Sequence, residues 1–204
     1  MDIATADGPH YTLLHITAEK IAAQIADTGV KQKIDNIAEM FDYRLFYYPF
    51  YLFHSKGLRQ RRYLHDLSKQ TIFSVDAAKG YYAAADALPT AEQLDHDISD
   101  KLRDGAAILE PLLTPPEAWE KGVEGLRQSH SLSFFHAFWL DRQVKITPIL
   151  CALLYKPYWR VEIHTPEGAF LRVIDATSGE VGGSNGYRFL QGYDAMIKRR
   201  ENHV

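Results

Sequence analysis

The chain has 204 residues, a net charge of -3, and hydrophobic and charged shares of 46% and 24%, the balance of an ordinary globular protein that buries a core without staples. The weak negative charge excludes a globally basic nucleic-acid-binding surface but leaves room for a local patch. The single cysteine, Cys151, excludes an internal disulfide and a cysteine-only zinc site, and its apolar run Ile149 to Leu154 fits a buried, inert thiol.

The start, Met1 to Gly8, carries acids where a signal peptide is basic, and no apolar run reaches the roughly 20 residues of a bilayer span. The expectation is a soluble, cytoplasmic protein, although a cleaved leader would leave no trace. Thr17 is placed to cap a helix through Ile21 and Ile25, continuing past a break at Gly29 to Ile34, Ile37 and Phe41. The aromatic run Phe46 to Phe53 then reads as a strand, 56–69 as a polar hairpin tip, and Ile72 to Val75 as the returning strand.

Thr90-Ala91-Glu92-Gln93 matches a capping box, ahead of a helix carrying Leu94, Ile98, Leu102, Ala106 and Leu109. Pro111 and Pro115-Pro116 end it, and Pro116 suits the first turn of the next helix, through Trp119, Val123 and Leu126. Residues 131–140 read as a strand or a buried helix, and their length does not decide. After Pro157, Arg160 and Glu162 alternate with Trp159, Val161 and Ile163, as on a strand. Thr165-Pro166-Glu167-Gly168 has turn chemistry, Phe170 to Ile174 is the partner strand, and Asp175 can accept backbone N–H bonds in a closing turn. Tyr187 to Arg200 reads as a helix, with Lys198-Arg199-Arg200 favourable at its C-terminal end.

A strand-turn-strand pattern occurs twice. Tyr48-Pro49-Phe50-Tyr51 is followed after a tip by Val75-Asp76-Ala77-Ala78-Lys79-Gly80, and Lys156-Pro157-Tyr158-Trp159 by Ile174-Asp175-Ala176-Thr177-Ser178-Gly179. Proline and aspartate are 27 residues apart in the first copy and 18 in the second. The nine extra residues fall at the tip, where insertions are tolerated. The two anchors in the same order point to duplication. Each proline, lacking an N–H, belongs at a strand start, an edge or a bulge.

The second copy resembles the PepSY-type β-hairpin module, through Trp159-Arg160-Val161-Glu162, Gly168 and Val173-Ile174-Asp175-Ala176-Thr177-Ser178-Gly179-Glu180-Val181. The likeness covers residues 157–181, with a more divergent copy at 47–81. It implies a small, non-catalytic regulatory or binding module. The fold expected is α+β, with helix-plus-antiparallel-hairpin repeats at 1–88 and 89–204 packed as one globular unit. The two hairpins are expected to share one sheet with helices on one face, two small sheets being the alternative.

Segment 56–69 holds Lys56, Arg59, Arg61, Arg62 and Lys69 against Asp66, a balance of +4. With Tyr63 and His65 it is either a solvated tip or a grip for phosphate, nucleic acid or an acidic partner. Residues 86–110 carry -5, explained by a solvated helix face or by docking of the basic tip. His130, His136 and His164 lack metal-ligand spacing, so no metal is expected. Asp76 and Asp175 suit turn formation better than acid–base work. The glycine-rich 179–186 lacks a phosphate-loop lysine, and no serine elbow is present, so no cofactor or catalytic residue is expected.

The function expected is a non-enzymatic protein-interaction or assembly module in which Tyr48, Phe50, Tyr158 and Trp159, or Arg59, Arg61, Arg62 and Tyr63, meet a protein partner or a second subunit. The alternatives are a small-ligand binder or enzyme with a cleft between the repeats, and nucleic-acid or phosphate binding through the tip.

Overall fold

The aromatic runs around the two prolines form two long strands in the structure, a computed structural model that describes residues 20–24, 26–35, 41–59, 67–95, 106–130, 145–165, 168–181 and 184–201. In chain order the described elements are β1 (Lys20–Gln24), α1 (Thr28–Asp35), β2 (Phe41–Arg59), β3 (Leu67–Asp76), β4 (Tyr82–Ala85), a 3₁₀ turn (Ala91–Gln93), β5 (Leu94–Asp95) and β6 (Ala107–Ile108). There follow α2 (Pro115–His130), β7 (Lys145–Thr165), β8 (Gly168–Asp175) and α3 (Ser184–Glu201). The class is α+β. Two compact units interleave along the sequence: Phe50–Leu88 and Leu113–Leu153 belong to one, and Ile21–Pro49, Pro89–Leu112 and Leu154–Val204 to the other.

In the first unit β3 pairs antiparallel with β2 from Phe50↔Asp76 to Arg59↔Leu67. The other edge of β3 is covered by β4, from Ile72↔Ala85 to Val75↔Tyr82. Helix α2 begins at a capping box, where the N–H and hydroxyl of Thr114 donate to Glu117 Oε2 at 2.7 and 2.8 Å. Pro115 and Pro116 occupy its first turn, where no intrahelical N–H is needed. The Thr114 bonds, the backbone one foremost, hold the Glu117 carboxyl below its ordinary pKa. Trp119 of α2 packs on Phe53 and Phe73, with ring centroids 5.3 and 5.9 Å apart. Gly122 and Gly125 bring the helix close: a Cβ on Gly122 would meet Phe73 and, at 2.8 Å, Val75 Cγ2, and one on Gly125 would meet Tyr82.

In the second unit β8 pairs antiparallel with β7 from Tyr158↔Asp175 to Thr165↔Gly168. The Asp27 carboxylate caps α1 by accepting the Val30 N–H at 2.9 Å. Val30 and Ile34 bury against Trp159, Val161 and Ala176. Tyr158 follows the other face of β7, because successive strand residues alternate. There α3 packs, with Phe189 5.1 Å from Tyr158 and 5.4 Å from Tyr48, and Tyr193 5.0 Å from Phe46. Helices thus cover both faces of this unit, not the single face expected: the aromatic residues before and after Pro157 leave both faces apolar. β1 pairs with β5, and β6 runs parallel to β2 at Phe46↔Ala107 and Tyr47↔Ile108.

The prolines sit inside strands rather than at their starts. Before Pro49, β2 is bonded to β6, and after it to β3, so the missing N–H falls where the partner changes. The turns after the hairpins match atom for atom. Asp76 Oδ1 accepts the N–H groups of Ala78 and Lys79 at 2.7 and 2.9 Å, and Asp175 Oδ1 those of Thr177 and Ser178 at 2.8 and 3.3 Å. Gly80 and Gly179 follow at φ of 78° and 75°, a conformation that favours glycine.

Two expected helices change identity. Ile21 lies on β1 and Phe41 opens β2, so of the described residues in that stretch only α1 is helical, capped by Asp27 with Gly29 in its first turn, and Thr17, Ile25 and Ile37 lie outside the described residues. The Thr90–Gln93 box forms its back-bond, Gln93 Oε1 accepting the Thr90 N–H at 3.0 Å, but on a 3₁₀ turn that runs into β5. Ile98, Leu102 and residues 131–140 lie outside the described residues.

Candidate binding surfaces

The first surface is the outer edge of β8. The Ala176 N–H donates to Pro157 O at 3.0 Å and the Asp175 N–H, one residue earlier, donates away from β7 to Glu180 O at 2.9 Å. N–H directions alternate along a strand. Leu171 and Val173 therefore turn their N–H and C=O groups outward, while Arg172 and Ile174 bond β7. In the first unit the equivalent outward residues, Ile72 and Ser74, are paired with β4. In the second, Ile174 forms a bridge to Val181, and among the described residues no strand pairs with Leu171, which is half-buried, or with Val173, which is buried. On this edge Phe170 is 40% exposed and Arg172 Cζ stands 5.1 Å over its ring.

The second surface is an open cleft of about 680 Å³ in the first unit, between α2 and the Gly80–Tyr82 turn. Tyr81, Tyr82, Glu120, Glu124 and Gln128 line it, and Tyr81 is 43% exposed. Glu120 and Glu124 lie one helical turn apart on one side of α2, and Gln128 Nε2 donates to Glu124 Oε1 at 2.7 Å. The stem of Lys121 lies against Gly80, leaving no room there for a side chain. The cleft therefore combines aromatic rings with a local excess of carboxylate.

The residues singled out from sequence lie elsewhere. Tyr48, Tyr158, Trp159 and Phe50 are 0%, 4%, 5% and 9% exposed: they are core side chains, because the strand faces they occupy are both apolar. Arg59 pairs through its backbone with Leu67, and Arg61, Arg62 and Tyr63 lie outside the described residues. Cys151 is buried. Asp76 and Asp175 serve the turns. His164 Nε2 stands 3.6 Å from Asp42 Oδ2, and His136 lies outside the described residues. Among the described residues no group of three or more His, Cys, Asp or Glu side chains is placed to hold a metal ion, and no helix is long and apolar enough to cross a membrane. The edge of β8 and the cleft escaped the sequence reading because neither is a motif. Each depends on what a neighbouring segment covers or leaves bare. Compared with family models, with curated proteins and with solved structures, the chain finds no match.

Proposed function

We propose that the chain is a non-enzymatic protein-interaction module built from a duplicated, PepSY-like hairpin unit, and that it engages its partner by strand addition at the outer edge of β8. Support for the duplication comes from equivalent registers. Phe50 and Tyr158, each directly after its proline, face Asp76 and Asp175, and the Val75↔Tyr82 pair has its counterpart in Ile174↔Val181. The carrying observation for partner binding is the contrast at that point: β4 occupies the edge in one unit, and on the same edge of the other no described strand pairs with the half-buried Leu171. An open edge offers main-chain hydrogen bonds for affinity and alternate side chains for selectivity.

The test is a peptide carrying the β4 sequence Tyr82–Ala85 with its flanks, added at millimolar concentration while backbone amides are followed by NMR. The Leu171 amide and those of its strand neighbours are expected to shift in the unaltered chain, and the neighbours' amides not to shift in Leu171→Pro, which loses an outward N–H but no bond to β7. Shifts confined to other residues would overturn the reading.

A second reading, capture of a small cationic ligand, is supported by the Tyr81–Glu120–Glu124 cleft, whose rings and carboxylates both attract positive charge.

A further inference from the structure

We infer that the joint between the first half of the chain, which ends with β5, and the second half, which begins with β6, is exchangeable. Two copies then form a reciprocal dimer, each first half docking on the second half of the other copy. This assembly is independent of the β8 edge. Its basis is which half supplies the helix seated at the turn of each hairpin.

At the β2–β3 hairpin of the first half, that helix is α2, from the second half. The Leu113 N–H donates to Ala77 O at 2.8 Å, and the Tyr51 hydroxyl donates to Leu113 O at 2.9 Å. Trp119 packs on Phe53 and Phe73, and the Lys121 stem lies against Gly80. At the β7–β8 hairpin of the second half, the helix is α1, from the first. The Asp27 N–H donates to Ala176 O at 2.8 Å, and Val30 and Ile34 bury against Trp159 and Val161. A Cβ on Gly179 would stand 3.3 Å from Val30 Cγ2.

The long strands make this exchange obligatory. After α1, β2 runs through 41–49 in one unit and continues, still a strand, through 50–59 in the other. After α2, β7 changes unit between Leu153 and Leu154 in the opposite sense. An extended strand has no loop at which the chain could turn a helix back onto the hairpin of its own half. Each half thus brings an apolar helix face and an apolar hairpin face that only another half-chain covers. Phe53, Phe73, Val75 and Leu126 are all 0% exposed, so the joint has the character of a core, as in obligate assemblies. Covalent connection of the halves raises the local concentration of the matching half only to about the millimolar range. A second copy offers the same surfaces, and reciprocal closure forms the same contacts.

Co-refolding of two full-length variants tests the exchange. Phe53→Asp damages the first half of one chain and Leu126→Asp the second half of the other, so neither closes its own first unit. A reciprocal dimer joins the sound second half of the Phe53→Asp chain to the sound first half of the Leu126→Asp chain. With only the Phe53→Asp chain isotope-labelled, its Trp119 indole N–H is expected to take its position in the unaltered spectrum after co-refolding, and not after refolding alone. The unaltered chain, refolded at about 1 mM and diluted in the cold, is expected to hold a dimer fraction at least tenfold above that left by refolding at about 1 µM. That dimer should persist on dilution, since undoing it requires unfolding. A dimer that dissociates at once is a surface contact and overturns the exchange. So does an unaltered chain that refolds only to monomer at the higher concentration while Trp119 stays displaced in the mixture.

Discussion

Ala176 faces Pro157 across the β7–β8 ladder, donating its N–H to Pro157 O at 3.0 Å, and Pro157 has no N–H to return. The Ala176 carbonyl instead accepts the Asp27 N–H at 2.8 Å, at the residue that caps α1. In the first unit the Ala77 carbonyl, one residue past the Phe50↔Asp76 pair, likewise accepts the Leu113 N–H at 2.8 Å, just before α2. In each unit the carbonyl of the alanine after the turn aspartate is thus taken by the segment leading into a helix.

Replacing Pro157 by alanine tests this arrangement. The new N–H would point at a carbonyl already engaged and would be buried with an imperfect partner, an expected loss of about 1–3 kcal/mol. The added freedom of the unfolded chain contributes a further ~0.5 kcal/mol in the same direction. Urea denaturation of Pro157→Ala should give a lower midpoint with an unchanged slope. Hydrogen exchange at the Asp27 amide should quicken more than at amides within β7. A variant as stable as the unaltered chain would show that the Ala176 carbonyl serves both donors without strain.

Asp175 carries a pH dependence. Burial by itself raises its carboxyl, but the Thr177 hydroxyl at 2.6 Å, the charge of Lys156 at 3.3 Å and the Thr177 N–H outweigh burial and hold it below the ordinary aspartate value of about 3.9. A carboxyl depressed on folding adds stability above its unfolded pKa and loses it as pH falls through the folded one. The Asp175 contribution should therefore be complete above about pH 5 and be lost progressively as the pH falls from the ordinary aspartate value of about 3.9 through the lower folded one. Asp175→Asn is expected to lose about 1–2 kcal/mol at neutral pH. The gap between the two chains should close as unfolding is repeated toward pH 2, and a gap independent of pH would remove the carboxylate from the explanation.

Two helical glycines are expected to answer alanine oppositely. At Gly125 the new Cβ would meet the root of the Tyr82 ring, with Cγ at 2.7 Å, so α2 must shift off β4. That overpacking costs about 1–3 kcal/mol and exceeds the roughly 1 kcal/mol that alanine returns in helix propensity. At Gly29 the nearest atom is the capping Asp27 Oδ1 at 3.1 Å, which need yield only a few tenths of an ångström and can do so while keeping the Val30 N–H. Gly29→Ala should therefore raise stability by about 0.5–1 kcal/mol. Thermal unfolding of the two variants beside the unaltered chain decides the matter. A stabilised Gly125→Ala would mean that α2 does not press on Tyr82.

The hairpins were legible in the sequence because their determinants are local. Alternation after Pro157, the Asp175 turn and the glycine after it each act within a few residues. Helix assignment failed where a tertiary partner overrode spacing: Ile21 and Leu94 fit a helical stripe, yet β1 and β5 bond each other at Ala23↔Asp95 and Gln24↔Leu94. The box at Thr114–Glu117 and the box at Thr90–Gln93 make the same back-bond, and only the first, followed by two prolines and an apolar stripe, starts a helix. Tyr48 and Trp159 attracted a binding role because aromatic character alone cannot distinguish a surface anchor from a core residue. Their burial depends on α3 and α1, which are remote in sequence. The bare edge at Leu171 is illegible for the same reason, since it exists only by comparison with what β4 does for β3.

The cleft in the first unit carries a prediction independent of the β8 edge. Tyr81 presents an exposed ring beside Glu120 and Glu124, which outnumber the Lys121 cation on the same lining, so an incoming cation meets a π face and a net negative charge together. A short arginine-bearing peptide amide is a suitable probe, with its citrulline analogue as the neutral control. Titration followed by tyrosine fluorescence and by NMR should perturb Tyr81 with the arginine peptide and much less with citrulline, and the response should weaken as salt rises. Tyr81→Ala and Glu124→Gln are each expected to lower affinity about threefold to tenfold, the scale of one exposed cation–π contact or one exposed ion pair. Both changes fall on the exposed side of the cleft, so the thermal midpoint should barely move. Equal binding of the citrulline peptide would assign the cleft to apolar contact alone, and no perturbation of Tyr81 by either peptide would remove it as a binding surface for cations.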